Sequence, residues 1–211
     1  MNPSNWRTYL VTQESLSAGR STPEIVEAAI DGGVDVVQLR EKDRSARDRY
    51  DLGRTLRDLT DEADIPLIVN DRIDLARAID ADGVHLGQSD LPISIARDQL
   101  GADAIVGCSA FRVEDALAAE RDGADYLGTG AVYGTSSKDV DPAKDGIGPE
   151  GISAVAEAVS IPVIAIGAIT AENAGPVFEA GAAGVAVISE ITSADDPADA
   201  TRRLGEVIAR V

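Results

Sequence analysis

The sequence predicts a (β/α)8 barrel occupying residues 1–211 as one domain, and three observations carry that expectation. Short apolar runs alternate eight times with amphipathic segments rich in Ala, Asp and Arg. A glycine-bearing turn recurs before four of the runs: DGGVDVV (31–37), DADGVHL (80–86), DGADYLG (122–128) and AGAAGVAV (180–187). The interior has few aromatics, 3% against 44% hydrophobic residues overall, so Ala, Val, Ile and Leu must build it. A helix that ends in glycine and drops directly into a buried strand is the short connection of a parallel sheet. Parallel strands need crossover helices, and eight right-handed crossovers can close the sheet. An open doubly wound sheet is the alternative arrangement of the same units.

Strands are expected at 8–12, 34–40, 66–70, 83–87, 104–109, 126–131, 163–167 and 184–189. Helices are expected at 23–31, 46–63, 74–80, 93–100, 113–122, 149–159, 171–180 and 197–210. The first helix opens with Ser21, Thr22, Pro23 and Glu24, a hydroxyl cap followed by a proline where its missing N–H costs nothing. Alternation along the second strand sends Val37 and Leu39 toward the helices and Gln38 and Arg40 into the barrel, with Lys42 following on the same side. Charge inside a barrel demands either an internal partner or an anionic ligand.

The third strand ends in Asn70 and Asp71, and the fourth runs through HLGQS into Asp90. Carboxylates on adjacent strand tops suit Mg²⁺, which takes one or two of them and keeps waters. The lone histidine, His85, reads as a packed, hydrogen-bonded strand residue, the commoner role, or as a catalytic one. Ser109 ends the fifth strand and can donate its hydroxyl to a phosphate; no GxSxG elbow surrounds it. Cys108 alternates to the helix side as a small apolar filler. The aperiodic stretch 133–149 follows the sixth strand and is long enough to be functional. The seventh and eighth strands end in small residues, IAIGAIT (164–170) and VAVIS (185–189), where many barrels hold a phosphate on backbone amides.

The charge balance excludes some functions. Lys+Arg total 19 and Asp+Glu 37, a net charge of −18, which opposes nucleic-acid binding through phosphate neutralisation. The single cysteine excludes a disulfide framework and fits a reducing cytoplasm. No apolar run approaches the roughly 18 residues of a membrane span, and the opening MNPSNWRTYLVT does not read as a signal peptide. Lysine is scarce, with Lys42, Lys138 and Lys144 standing against 16 arginines, and Asp outnumbers Glu 24 to 13. That balance reads as adaptation to high salt, where like charges are screened.

Taken together, QLREK (38–42), ND (70–71), VHLGQSD (84–90), GCS (107–109), TSSK (135–138), GAI (167–169) and VIS (187–189) resemble the thiamine-phosphate synthase family over nearly the whole chain. The resemblance implies an enzyme joining 4-amino-2-methyl-5-hydroxymethylpyrimidine diphosphate to 4-methyl-5-(2-phosphoethyl)thiazole, with release of pyrophosphate. It implies that Gln38, Leu39, Arg40, Glu41 and Lys42, with Asn70, Ser109 and Lys138, hold the pyrimidine diphosphate. Arg40, Lys42, Ser109 and Lys138 would act in catalysis, and Asp71 and Asp90 would hold Mg²⁺. Thr135, Ser136, Ser137, Gly167, Ala168, Ile188 and Ser189 would hold the thiazole phosphate. The sequence departs from the family pattern at Ala168, where glycine is usual, at Phe111, where histidine is frequent, and at Gly134, where proline is usual. A thiazole tautomerase of the same family and a catalytically silent sensing barrel are the rival readings; oligomeric state stays open.

The acidic balance generates a measurable expectation. The melting temperature should rise steeply between about 0.05 and 2 M KCl, as screening removes surface repulsion. A Tm that is flat over that range would contradict the salt-adapted reading.

Overall fold

The computed structural model describes residues 2–134 and 146–209. Its sheet is a closed parallel barrel in sequence order, which replaces the open-sheet alternative. The strands are β1 (Thr8–Val11), β2 (Val36–Leu39), β3 (Leu67–Asn70), β4 (Gly83–Leu86), β5 (Ile105–Ser109), β6 (Tyr126–Gly130), β7 (Val163–Ile166) and β8 (Gly184–Val187). Around them run α1 (Thr22–Asp31), α2 (Ala46–Glu62), α3 (Ile73–Ala78), α4 (Ile93–Leu100), α5 (Val113–Arg121), α6 (Gly148–Ala156), α7 (Gly175–Glu179), α8 (Ser189–Thr192) and α9 (Pro197–Ile208). The α1 start matches its sequence signal in part: the Glu24 carboxylate accepts from Ser21 N at 2.7 Å, the reciprocal half of a capping box.

Strand ends are shorter than the apolar runs suggested, for local reasons. Val34 N bonds back to Ala29 O and belongs to the α1 exit turn. Past Leu39, the Arg40 amide donates to the Thr12 hydroxyl at 3.1 Å instead of to a neighbouring strand. The run 184–189 stops at Val187 because Ile188 O accepts from Thr192 N and starts the extra short helix α8. The helix expected from 171 begins at Gly175, after a turn in which Asn173 Oδ1 accepts from Thr170 N at 2.8 Å.

Alternation divides the core into two layers. Leu10, Val37, Leu39, Val69, Val84, Val106, Leu127 and Val185 pack outward against the helices. Trp6, Tyr9, Val11, Val36, Ile68, Ile105, Tyr126 and Ile164 fill the barrel. Trp6 lies edge-on beneath both tyrosines, with centroids 5.8 Å from Tyr9 and 5.2 Å from Tyr126.

Three of the recurring turns carry an aspartate that pins the amino-terminal end of the barrel. Asp35 accepts from Thr8 N at 2.8 Å, Asp82 from Leu67 N at 2.8 Å and Asp125 from Val106 N at 2.7 Å. Each carboxylate before an even-numbered strand therefore ties down the start of the preceding odd one. Two of them also hold an arginine: Arg57 lies 2.5 Å from Asp82 and Arg97 2.7 Å from Asp125. The fourth turn has Ala183 at this place, and its carbonyl accepts from Arg7 at 3.3 Å.

Arg57 is 7% exposed and pairs with both Asp82 and Asp61, each at 2.5 Å, so removal of Asp82 leaves the buried guanidinium with a solvent-exposed carboxylate alone and the Leu67 amide without its acceptor. Asp82→Ala should cost about 3 kcal/mol, a Tm lower by roughly 6–12 °C. Because this end lies opposite the βα loops, turnover below the transition should be unchanged. Equal Tm values for the two proteins in a thermal melt would refute this.

Candidate active site

The carboxyl ends of the strands surround a cavity of about 520 Å³ that reaches from the loops down to the tyrosine pair. Gln38, Arg40, Lys42, Asn70, Asp71, Asp90, Ser109, Gly167, Ala168, Ile188 and Ser189 all line it, as the sequence suggested. The side chains of Leu39 and Glu41 do not line it. Leu39 lies in the helix-facing layer. Glu41 is buried beside the β1–α1 connection, accepting from Glu14 N at 3.0 Å and the Thr22 hydroxyl at 3.0 Å. Strand alternation continues through Glu41, so neither side chain reaches the cavity. Thr135, Ser136, Ser137 and Lys138 lie outside the described residues.

One wall carries the charges. Lys42 Nζ is 2.9 Å from Asp71 Oδ2, and Arg40 Nη1 donates to Gln13 Oε1 at 2.8 Å. Burial pulls the Arg40 pKa below its ordinary value, opposed chiefly by Asp71. Asp71 takes a left-handed φ of +63°, a conformation that aspartate tolerates, and its amide bonds to His85 O at 2.8 Å. Burial pushes the Asp71 carboxyl up, but the Lys42 ammonium outweighs it and holds the group below the carboxylate range. Asp90 goes the other way: burial and the negative charge of Asp71 raise it, although Gly87 N donates to it at 2.6 Å. Two carboxylates crowded against one ammonium form an anionic pair suited to a further cation.

The adjoining wall is hydrogen-bonded. His85 Nε2 is 3.0 Å from Ser109 Oγ and His85 Nδ1 is 3.0 Å from the Tyr126 hydroxyl. His85 is thus a hydrogen-bonded strand residue that also borders the cavity, and it stands beside the only serine on these strands that could act as a nucleophile. Two glycines make the room. A Cβ on Gly107 would come within 2.1 Å of the Tyr126 ring, and one on Gly128 within 2.8 Å of the His85 ring. Cys108 faces the helices, and burial pushes its thiol up to about 11, consistent with an unreactive filler.

The loops after β7 and β8 close the cavity. Gly167 has a φ of +117°, and a Cβ there would come within 2.5 Å of Ala131 Cα. Ala168 has a φ of +47°, so its methyl sits on left-handed backbone at a cost of roughly 1–2 kcal/mol. Asn173 Nδ2 steadies the turn by donating to Ala168 O at 3.0 Å.

Sequence reasoning gave no role to Tyr9, Tyr126 or Gln88. Gln88 Nε2 donates to Ser109 O at 2.6 Å and helps fix the end of β5. The tyrosines were detectable: both occupy inward positions of their strands, where a polar-tipped aromatic needs a buried partner.

The thiamine monophosphate synthase family model matches residues 8–191. The chain is 62% identical over 203 residues to a thiamine-phosphate synthase of Natronomonas pharaonis, covering 96% of this chain and 95% of that protein. It is 61% identical over 205 residues to one of Haloarcula marismortui, covering 97% of each. A solved thiamine phosphate pyrophosphorylase from Pyrococcus furiosus superposes with a TM-score of 0.90 at 40% identity, over 99% of this chain and 98% of that one. A 3-hexulose-6-phosphate synthase, at 16% identity and a TM-score of 0.69 over 95% of this chain and 99% of that one, shares the fold alone. The matched span and the full-length identities establish that this chain belongs to the thiamine monophosphate synthase family.

Proposed function

We propose that the chain couples 4-amino-2-methyl-5-hydroxymethylpyrimidine diphosphate to 4-methyl-5-(2-phosphoethyl)thiazole in a Mg²⁺-dependent transfer. The observation that carries this reading is the single charged wall, where Arg40, Lys42, Asp71 and Asp90 face one cavity. Two anionic substrates meeting in one cavity need cations at the departing group and only weak demands elsewhere. The methylene–oxygen bond breaks with its electron pair leaving on pyrophosphate, and the thiazole nitrogen lone pair forms the new bond to that carbon. The positive charge ends on the thiazolium, and no proton changes hands. Arg40 and Lys42 stabilise the developing anion, and Ser109 adds a hydroxyl donor. The turns at Gly167, Ala168, Ile188 and Ser189 hold the second phosphate, which places the thiazole for attack.

The donor set fits Mg²⁺. Among the described residues no cluster of three or more His, Cys, Asp or Glu could enclose a metal. Asp71 and Asp90 would hold the ion, since Mg²⁺ takes only one or two carboxylates and draws its remaining ligands from substrate and water. When bound, the ion supplies positive charge to the diphosphate oxygens as the bond to carbon breaks. The buried free Cys108 and the acidic surface fit a cytoplasmic enzyme in a salt-rich interior.

Incubation with both substrates and Mg²⁺ in molar KCl should yield thiamine phosphate and pyrophosphate by mass detection. No product at any salt concentration would reject the activity, and full turnover after exhaustive chelation would reject the metal. A thiazole tautomerase would isomerise its substrate and release no pyrophosphate.

Asp71→Asn and Asp90→Asn should each raise the Mg²⁺ concentration needed for half-maximal turnover. If both serve one ion, the double substitution should cost much less than the sum of the single ones, because their contributions are coupled. Strict additivity in kcat/KM would show that they do not share a ligand.

A further inference from the structure

Five side chains connect the two walls of the cavity across the barrel. Gln38 Nε2 donates to the Tyr9 hydroxyl at 2.7 Å, and the Tyr9 and Tyr126 hydroxyls lie 2.9 Å apart. Tyr126 meets His85 Nδ1 at 3.0 Å, and His85 Nε2 meets Ser109 Oγ at 3.0 Å. Both tyrosines are buried, Tyr9 at 2% and Tyr126 at 1% exposure. A buried hydroxyl proton without an acceptor is costly, and each phenol has one proton to place. Burial pushes both phenols above their ordinary range, so both keep that proton. Gln38 presents an amino group to Tyr9, which leaves the Tyr126 oxygen as acceptor for the Tyr9 proton. The Tyr126 proton then goes to His85 Nδ1. A neutral imidazole that accepts at Nδ1 carries its own proton on Nε2 and donates it to Ser109.

We infer that Tyr9, Tyr126 and His85 are positioning residues that polarise this chain of hydrogen bonds in one direction, from Gln38 to Ser109. Both ends acquire defined roles. Gln38 commits its amino group to Tyr9 and leaves its carbonyl oxygen as the acceptor for a ligand N–H. Ser109 accepts from His85 and keeps its own proton for an anionic ligand oxygen. The same polarity denies Ser109 a base, because an imidazole already protonated on Nε2 cannot take the serine proton. The 3.0 Å separation of His85 and Ser109 therefore does not make a nucleophilic dyad. With the Gln38 amide turned over, each bond would reverse and the His85 proton would sit on Nδ1. The role of Ser109 toward an anion rests on the proposed diphosphate site, whereas the direction of the chain does not.

His85 is the only histidine of the sequence, so protein labelled with ¹⁵N-histidine gives a single imidazole by NMR. Long-range ¹H–¹⁵N spectra of the ligand-free protein at about pH 8.5, some two units above the ordinary histidine pKa, should show the proton on Nε2. Gln38→Glu, whose ionised carboxylate can only accept, should move that proton to Nδ1 although the substitution lies two tyrosines away. Tyr126→Phe cuts the chain, so adding Gln38→Glu to it should produce no further change in the ring. A wild-type ring protonated on Nδ1, or a folded Gln38→Glu protein with its tautomer unchanged, would overturn the inference. The wild-type spectrum decides the direction even where a variant fails to fold. No substrate is present, so an Nε2-protonated ring in a protein without coupling activity would reject the proposed function alone.

Discussion

Gly107 and Gly128 leave the space into which the rings of Tyr126 and His85 fit, and the rest of the cavity is arranged around that close approach. In the barrel register Gly107 pairs with both His85 and Tyr126, so the two rings share the room above a strand that has no side chain at that level. The rings lie with centroids 5.5 Å apart, and Tyr126 also rests on Trp6. An alanine at Gly107 would drive a Cβ into a ring that has no slack, because Tyr126 is fixed from below by Trp6 and from the side by Tyr9, and one at Gly128 would press on the His85 ring. A packed interior transmits such a displacement instead of absorbing it. The hydrogen bonds at the cavity floor follow from this packing: the rings are placed by sterics, and their polar tips then find each other.

The two ends of the barrel use charge differently. At the amino-terminal end, Asp82 and Asp125 each receive a backbone amide and an arginine, which joins strands in pairs. At the carboxyl end, Lys42 and Asp71 meet while the ammonium is still half exposed, at 52%. An exposed pair of this kind contributes little to stability, so Lys42 can leave Asp71 for a stronger anion at little cost. A diphosphate would provide that anion, and Asp71 would then be free for a metal. The buried, multiply bonded pairs lie at the amino-terminal end, and the half-exposed Lys42–Asp71 pair lies at the cavity.

The sequence was most informative where a period or a repeat carried the signal. Gln38, Arg40 and Lys42 face the cavity because a period of two leaves no other side for them once Val37 and Leu39 are buried outward. The same period continues through Glu41, so only alternate side chains of QLREK face the cavity and any contact at Leu39 or Glu41 would be made by backbone. The recurring glycine turns located strand starts, but the role of Asp35, Asp82 and Asp125 within them depends on the register between neighbouring strands, which local sequence does not encode. Helix α8 was hidden because VAVI (185–188) is apolar throughout, and an apolar run of four has no period that separates strand from helix turn. Hydrogen-bond direction across the cavity floor was beyond reach, since it links β1, β2, β4, β5 and β6 through contacts far apart in the chain.

Salt sharpens the contrast between the surface and these contacts. At 1 M the screening length is about 3 Å, shorter than the spacing of most surface carboxylates but comparable to the 2.9 Å of Lys42–Asp71 and longer than the 2.5 Å of Arg57–Asp82. High salt therefore removes the repulsion among 37 acidic residues while leaving directly bonded pairs largely intact. A neutral hydrogen bond such as Tyr9–Tyr126 carries no net charge to screen, and it is shielded from ions by burial. A site built from contact pairs and a neutral hydrogen-bonded floor keeps its geometry under conditions that a site relying on long-range attraction would not. The acidic surface and the cation-bearing cavity are compatible for this reason: the range over which they could oppose each other is cut to about one contact distance.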